Sequence, residues 1–98
     1  MPSLQASGLS PDARRRRILF RSWHRGTREM DLILGHFADA EIASLNSREL
    51  DDYELLLEAP DRDVFCWLTF AAETPQLYDT PVLQRIRAFH SHAGPIRI

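Results

Sequence analysis

Hydrophobic side chains recur every three or four positions over most of this chain, which is the spacing of one face of an α-helix. No segment alternates hydrophobic and polar positions as a half-buried strand would, and the sequence contains no internal repeat. The pattern therefore predicts an all-α protein, folded as a compact bundle of about five short helices. The clearest stripe consists of Met30, Ile33, Leu34, Phe37, Ala38 and Leu45.

The first two helices have recognisable start and stop signals. Ser10-Pro11-Asp12 supplies a capping residue, a proline at the first helical position and an acid in the first turn. The helix that begins there is predicted to end at Trp23 or His24. Gly26 is the predicted stop, because glycine accepts the left-handed backbone conformation that closes a helix. Thr27 is then predicted to cap the second helix.

Three further helices follow. Asn46-Ser47-Arg48-Glu49 has the form of a capping box and starts a third helix that is predicted to end near Ala59. Pro60-Asp61 interrupts the chain and starts a fourth helix, and Thr80 caps a fifth that ends at Gly94-Pro95. The predicted buried positions are Leu50, Tyr53, Leu56 and Leu57 in the third helix, Val64, Trp67, Leu68 and Ala71 in the fourth, flanked by Phe65 and Phe70, and Val82, Leu83, Ile86, Phe89 and His90 in the fifth.

A chain of 98 residues has room for one domain with a modest core. We expect residues 1–9 to form a polar N-terminal tail, residues 10–94 the helical domain and residues 95–98 a C-terminal tail. Residues 1–9 have no segment of signal-peptide type and are too short for a mitochondrial presequence. Most of the nine aromatic side chains are expected in the core: Phe20, Trp23, Phe37, Tyr53, Phe65, Trp67, Phe70, Tyr78 and Phe89.

Composition narrows the function classes. No apolar run approaches the ~18–20 residues that span a bilayer, so membrane insertion is not expected. Cys66 is the single cysteine, which excludes an intramolecular disulfide and is typical of a reducing cytoplasm. The four histidines show no metal-ligand spacing, and no nucleophilic triad or glycine-rich phosphate loop is present. We therefore expect no metal site and no catalytic activity.

Charge is segregated along the chain. Residues 1–28 carry seven arginines and one acid, whereas residues 29–79 carry thirteen acids and two arginines. The run Arg14–Arg17 suggests nucleic-acid binding, but four consecutive helical residues sweep about 300° and cannot form one row. A solvated helix start with snorkelling stems is the favoured interpretation, and the acids are expected on solvated helix faces. A small helical nucleic-acid-binding or regulatory protein stays the alternative.

The segment from His24 to Asp31 is the most crowded with charge, because a glycine, two arginines and two acids lie where one helix ends and another begins. One interpretation is a tight junction whose charged groups only cap helices. The other is a docking patch, since Glu29, Leu32 and His36 share a helix face away from the apolar stripe. The candidate partner-binding residues are Arg25, Gly26, Arg28, Glu29, Asp31, Leu32 and His36.

The arginine-rich first helix and five motifs that follow it in order resemble the small flavinylation factors of succinate dehydrogenase, from about Arg16 to Ile98. None is specific alone, but together they are. The five motifs are Arg25-Gly26-x-x-Glu29-x-Asp31, Leu32-Ile33-Leu34-x-x-Phe37, Leu57-Glu58-x-Pro60-Asp61-x-Asp63, Phe65-x-Trp67-Leu68 and Gly94-Pro95-Ile96-x-Ile98.

The resemblance implies a five-helix fold without catalytic activity, located in the cytoplasm or the mitochondrial matrix. It implies that the partner is the flavoprotein subunit of succinate dehydrogenase and, in some bacteria, of fumarate reductase. FAD is then the cofactor of that client, and none is expected to stay bound here. The family associates the region matched by Arg25, Gly26 and Glu29 with the interaction. A cytoplasmic protein that is monomeric when free is the expected form.

Overall fold

Five α-helices make up most of the computed structural model, which describes residues 11–92. Within that range no strand is present, so the predicted all-α bundle is confirmed. The predicted cap Ser10, the Gly94-Pro95 stop and both predicted tails lie outside the described residues. The helices are α1 Pro11–Trp23, α2 Arg28–Glu41, α3 Ser47–Leu57, α4 Asp61–Leu68 and α5 Pro81–His92, with 3-10 turns at Ile42–Ser44 and Gln76–Tyr78.

Three helices begin at capping residues that the sequence predicts. The Thr27 hydroxyl accepts a hydrogen bond from the Met30 backbone N–H at 3.2 Å, and Thr80 caps α5 in the same way. At α3 the Asn46 side chain accepts from the Glu49 N–H, and the Glu49 carboxylate accepts from the Asn46 N–H. Each cap satisfies a backbone donor that the helix leaves unpaired and contributes ~1 kcal/mol.

α2 lies at the centre of the core. Its whole predicted stripe is buried, although Leu45 follows a 3-10 turn because α2 itself ends at Glu41. Burial of each large apolar side chain contributes roughly 1.5–3 kcal/mol, so this shared core is the main source of stability. The other buried members include Ile18 from α1, Leu50, Tyr53, Leu56 and Leu57 from α3, Val64, Trp67 and Leu68 from α4, and Val82, Leu83 and Ile86 from α5.

A buried hydrogen-bonded pair joins α1 to α3. The Ser22 hydroxyl lies 2.8 Å from the Ile18 carbonyl oxygen and 2.7 Å from the Tyr53 hydroxyl, which in turn lies 3.4 Å from the Leu34 carbonyl oxygen. Both side chains are fully buried. Burial raises the pKa of Tyr53, so the phenol stays neutral. Hydrophobic periodicity does not identify Ser22 as a core residue, because serine carries no apolar signal.

α1 and α2 approach closely where the Trp23 indole lies on Gly35. A Cβ atom at position 35 would stand 2.3 Å from Cδ2 of the indole. The indole Nε1 donates to the Asp39 carboxylate at 3.2 Å, and the His36 ring meets the indole edge-on with centroids 5.2 Å apart. The glycine is therefore required by the closeness of the tryptophan.

The arginine run of α1 is divided between tertiary contacts and the surface. Arg14 pairs with Asp51 and Glu54 of α3. Arg15 donates to two carbonyl groups in the turn after α2, at 3.1 and 2.7 Å. Arg16-Arg17, by contrast, is exposed. The prediction of a wholly solvated run is wrong for its first half, because acids and open carbonyls of neighbouring elements lie within reach.

Acids of the middle segment are likewise not simply solvated. Arg21 of α1 pairs with Glu58, and Arg85 of α5 pairs with Glu41 and Glu49. Burial lowers the pKa of Arg85, but the hydrogen bonds to these two carboxylates outweigh burial, so the pKa of Arg85 is raised overall. The segregated charge of the sequence thus becomes ion pairs between helices, which corrects the prediction of solvated acidic faces.

α4 is shorter than predicted, and two of its expected members are exposed. The helix ends at Leu68, where the Ala71 N–H turns back to the Cys66 carbonyl at 2.8 Å. Ala71 therefore does not continue the buried stripe, and Phe70 does not flank it.

The aromatic side chains pack mostly in or against the core, but the prediction is wrong for Phe20 and Phe70, which are 63% and 74% exposed. Phe20 stacks instead on the His24 ring, with centroids 3.9 Å apart. α3 also ends at Leu57 rather than near Ala59, although Ala59 is buried.

His90 on α5 makes stability depend on pH. Its Nε2 lies 2.9 Å from the Ile33 carbonyl oxygen, so this nitrogen carries a hydrogen. Burial lowers the pKa of His90 below its ordinary value of 6.5, and the nearby His36 lowers it further, while the carbonyl contact opposes both. The folded protein thus favours the neutral imidazole.

A depressed pKa in the folded state means that the contribution of His90 is complete above pH 6.5. It is lost as the pH falls through the folded-state pKa, because the unfolded chain binds the proton more readily. We expect His90→Gln, which keeps a donor for Ile33, to lose less stability than the wild type between about pH 7.5 and about pH 5. Urea unfolding of both proteins measures this, and equal losses would contradict it.

Candidate functional site

The corner between α1 and α2 is built on one glycine and one cap. α1 ends at Trp23, and the chain turns through Gly26, whose φ is +106°. This positive φ confirms the predicted role of glycine here, since other residues rarely adopt it. Thr27 is extended and accepts from the first turn of α2, and the Asp31 N–H donates to the Thr27 carbonyl at 3.0 Å.

Arg25 fastens this corner to the start of α4. Its Nε donates to Asp61 Oδ1 at 2.9 Å, and a second nitrogen reaches the Ala59 carbonyl at 3.4 Å. The backbone N–H of Arg25 donates to the Asp31 carboxylate at 2.5 Å. The Arg25 and Asp61 side chains are only 11% and 17% exposed. Arg25 and Asp31 are therefore held by contacts within the chain, and their role toward a partner stays a prediction.

The remaining candidate residues face outward to different degrees. Gly26, Arg28, Glu29 and His36 are exposed. In the part of the chain that the structure describes, no ion pair involves Arg28 or Glu29. The Glu29 carboxylate can therefore bind a partner without first losing an ion pair within the fold.

Leu32 differs from the sequence expectation of an exposed leucine, because it is only half-exposed. It lies three residues before buried Gly35 and so stands at the margin of the packed face of α2. The predicted surface row of Glu29, Leu32 and His36 therefore has polar ends and a partly covered centre.

A groove of about 300 Å³ opens beside Glu29, between the first turn of α2 and α4. Met30 and Phe65 supply apolar walls, and Phe65 is only partly buried. Thr27, Asp61 and Arg62 complete the lining. A shallow apolar groove with charged groups at its edge is suited to a side chain of another protein. We call it the corner groove.

The α4 side of this groove is absent from the residues that sequence reasoning selects. The sequence predicts no role for Arg62, and it indicates Asp61 only as the start of a new helix and Phe65 only as a flanking position. The one signal was their place in motifs that follow the corner by about thirty residues. Periodicity cannot show that two segments so far apart in sequence meet.

The described residues contain neither a candidate metal-binding cluster nor a candidate membrane-spanning helix. Among residues 11–92, no group of three histidine, cysteine or acidic side chains is arranged to hold a metal ion. Over the same range no helix combines the length and the apolar character that crossing a membrane requires.

Residues 16–90 match the family model described as "Flavinator of succinate dehydrogenase". This chain belongs to that family. The matched span contains the whole corner, the corner groove, the three complete helices α2, α3 and α4, and most of α1 and α5. The resemblance drawn from the sequence motifs is therefore confirmed.

Curated relatives agree with the family match. The FAD assembly factor SdhE of Acetobacter pasteurianus is 41% identical over 87 residues, which cover 86% of this chain and 80% of the relative. The mitochondrial succinate dehydrogenase assembly factor 2 of Dictyostelium discoideum is 42% identical over 73 residues, or 74% of this chain and 52% of the relative. That of Debaryomyces hansenii is 39% identical over 66 residues. The chain spans about half the length of these mitochondrial relatives.

Proposed function

We propose that this protein is an assembly factor that binds the flavoprotein subunit of succinate dehydrogenase and promotes covalent attachment of FAD to it. The observation that carries the proposal is the family match over residues 16–90. Of the relatives described above, the Acetobacter pasteurianus protein matches this chain over the largest share of both sequences, and it is named as an FAD assembly factor.

The geometry of the corner supports docking through this surface. Arg25 and Asp61 fix the turn, so that Arg28 and Glu29 extend from a rigid base. A rigid base lowers the conformational entropy that binding costs. Glu29 stands beside the apolar corner groove, a combination that gives an interface both a charge contact and a buried contact. We assign partner contact to Gly26, Arg28, Glu29, Leu32 and His36, and positioning of that surface to Arg25 and Asp31.

The factor would act by stabilising one conformation of its client. The covalent chemistry belongs to the flavin and to the client's own histidine. A helical partner that binds the aligned arrangement more tightly than other conformations raises the population of that arrangement. Reaction is then faster because the reacting groups are held in position. On this proposal the protein is not an enzyme and holds no FAD stably.

We include the flavoprotein of fumarate reductase as a second client, a monomeric free protein and a cytoplasmic location. The family resemblance supports the client, and the sequence composition is compatible with the location.

Deletion of the gene tests the function directly. We expect denatured succinate dehydrogenase flavoprotein from the deletion strain to lose most of its in-gel flavin fluorescence, because covalent attachment no longer keeps pace with synthesis. Expression of the wild-type chain should restore it. Undiminished fluorescence in the deletion strain would overturn the proposal. Salt-sensitive retention of nucleic acid by the purified protein, without capture of the flavoprotein, would favour the alternative class.

A further inference from the structure

The chain leaves α4 through an unusual residue. Phe70 has φ +62° and is the one non-glycine residue with positive φ among residues 11–92. The Phe70 N–H donates to the Trp67 carbonyl at 3.4 Å, and the Ala71 N–H donates to the Cys66 carbonyl at 2.8 Å. These two bonds form a Schellman motif, in which the position of Phe70 is the one that favours glycine. A phenyl side chain here is therefore unfavourable for the fold itself.

The ring contributes little to the core in return. It is 74% exposed, and the guanidinium carbon of Arg87 lies 4.3 Å from its centroid. Arg87 is held there by the Trp67 carbonyl at 2.7 Å and the Thr74 hydroxyl at 3.0 Å. One face of the ring thus rests on a fixed support, while most of the side chain stays open to solvent. A strained residue with an exposed aromatic group is typical of a contact site.

A groove of about 560 Å³ begins at this ring and runs between the α4–α5 connection and α5. We call it the Phe70 groove. Glu73 and Asp79 lie along it and are exposed. Neither forms an ion pair in the described part of the chain, because Arg87 is directed to Trp67 and Thr74. Asp79 accepts a hydrogen bond from the Gln84 amide at 2.9 Å. The groove therefore offers an aromatic surface next to two carboxylates that Arg87 does not pair with, although Arg87 also lines the groove.

We propose that the Phe70 groove receives a basic side chain of the flavoprotein subunit, with its apolar stem on the Phe70 ring and its cationic head between Glu73 and Asp79. This inference rests on the proposed function. Charge complementarity selects a lysine or an arginine, since an aromatic face and carboxylates both attract a cation.

The flavoprotein is the occupant because the two grooves adjoin the same helix. The first turns of α4 line the corner groove through Asp61 and Phe65, and the Phe70 groove begins just beyond its last turn. A helix of this length is about 12 Å long. A standard interface covers roughly 800 Å² on each partner, so one protein bound at the corner groove can extend to the Phe70 groove.

Phe70→Gly is expected to change stability and binding affinity in opposite directions. We expect its Tm to rise by about 2–5 °C, because glycine suits the positive φ. We expect its Kd for the purified flavoprotein to increase roughly tenfold, because the aromatic anchor is lost. Glu73→Gln should weaken binding several-fold and reduce its dependence on salt. Leu77→Ala, which removes a 61% exposed side chain of the same connection outside the groove lining, is the matched control and should bind normally.

The outcomes separate this inference from the proposed function. Tight binding by the wild type together with unchanged binding by Phe70→Gly and Glu73→Gln would overturn the inference and leave the proposed function standing. Equal weakening by Leu77→Ala would also overturn it, because the effect would then belong to the whole connection. No binding by the wild-type protein would overturn both.

Discussion

Glu29→Gln is expected to weaken binding to the succinate dehydrogenase flavoprotein by about 2–5 kcal/mol, while the isolated protein loses only about 0.3–1 kcal/mol of stability. Glutamine keeps the shape of the side chain and its hydrogen-bonding capacity but removes the charge. In the fold that charge lies at the positive end of the α2 dipole, because Glu29 is exposed in the first turn. At an interface the same carboxylate would be desolvated against a cation of the partner. Titration with the flavoprotein and thermal unfolding measure the two effects.

Arg25→Ala is the matched control within the same corner. Removal of this arginine leaves Asp61 without its ion pair at a site that is only 17% exposed. We expect a loss of stability of about 2–4 kcal/mol, since the pair is partly rather than fully buried, and a loss of affinity with it. Glu29→Gln should thus lose affinity with little loss of stability, whereas Arg25→Ala should lose both. If Glu29→Gln also lost stability and affinity in parallel, the corner would be a structural cap, and the assignment of Glu29 to docking would be wrong.

Much of the fold was predictable from signals that are local in sequence. Thr27 and Asn46 cap helices through atoms three residues away, so the residue types alone indicate where the helices start. The stripe of α2 is equally local, because burial follows from the spacing of apolar residues. The left-handed Gly26 belongs to the same class, since it lies between a helix end and a cap.

Half of the candidate site depends instead on contacts between distant segments. The sequence does not indicate that the Arg25 side chain contacts Asp61, thirty-six positions along the chain. Phe65 enters the corner groove only because the fold brings the first turns of α4 near the first turn of α2. An arginine has the same local appearance whether it points to solvent or to a distant acid, so sequence pattern alone does not distinguish the two.

Phe70 shows a different limit of sequence patterns. An apolar residue at helical spacing after Trp67 and Leu68 predicts one more turn of α4. The chain turns out of the helix there through a residue whose type opposes the turn, as its φ of +62° shows. Local preference and structure disagree at this position, and such disagreements are where functional contacts are expected.

The contact between Trp23 and Gly35 makes the effect of Gly35→Ala on stability depend on the residue at position 23. We expect this effect to be unfavourable in the wild type and favourable when Trp23 is replaced. In the wild type, Gly35→Ala should destabilise the protein by about 1–3 kcal/mol, because the new methyl group would stand 2.3 Å from the indole. In a Trp23→Ala background that obstacle is absent. The same change should then stabilise by about 1 kcal/mol, since alanine is the better helix former.

Urea unfolding of the wild type, the two single variants and the double variant measures this coupling. Destabilisation of similar size in both backgrounds would show that something other than the indole excludes a side chain at position 35. The expected sign change has a consequence for the docking surface as well. The indole that rests on Gly35 also meets the His36 ring edge-on, so Gly35→Ala should displace one end of the row formed by Glu29, Leu32 and His36. We therefore expect Gly35→Ala to weaken binding to the flavoprotein even at temperatures where the variant is fully folded.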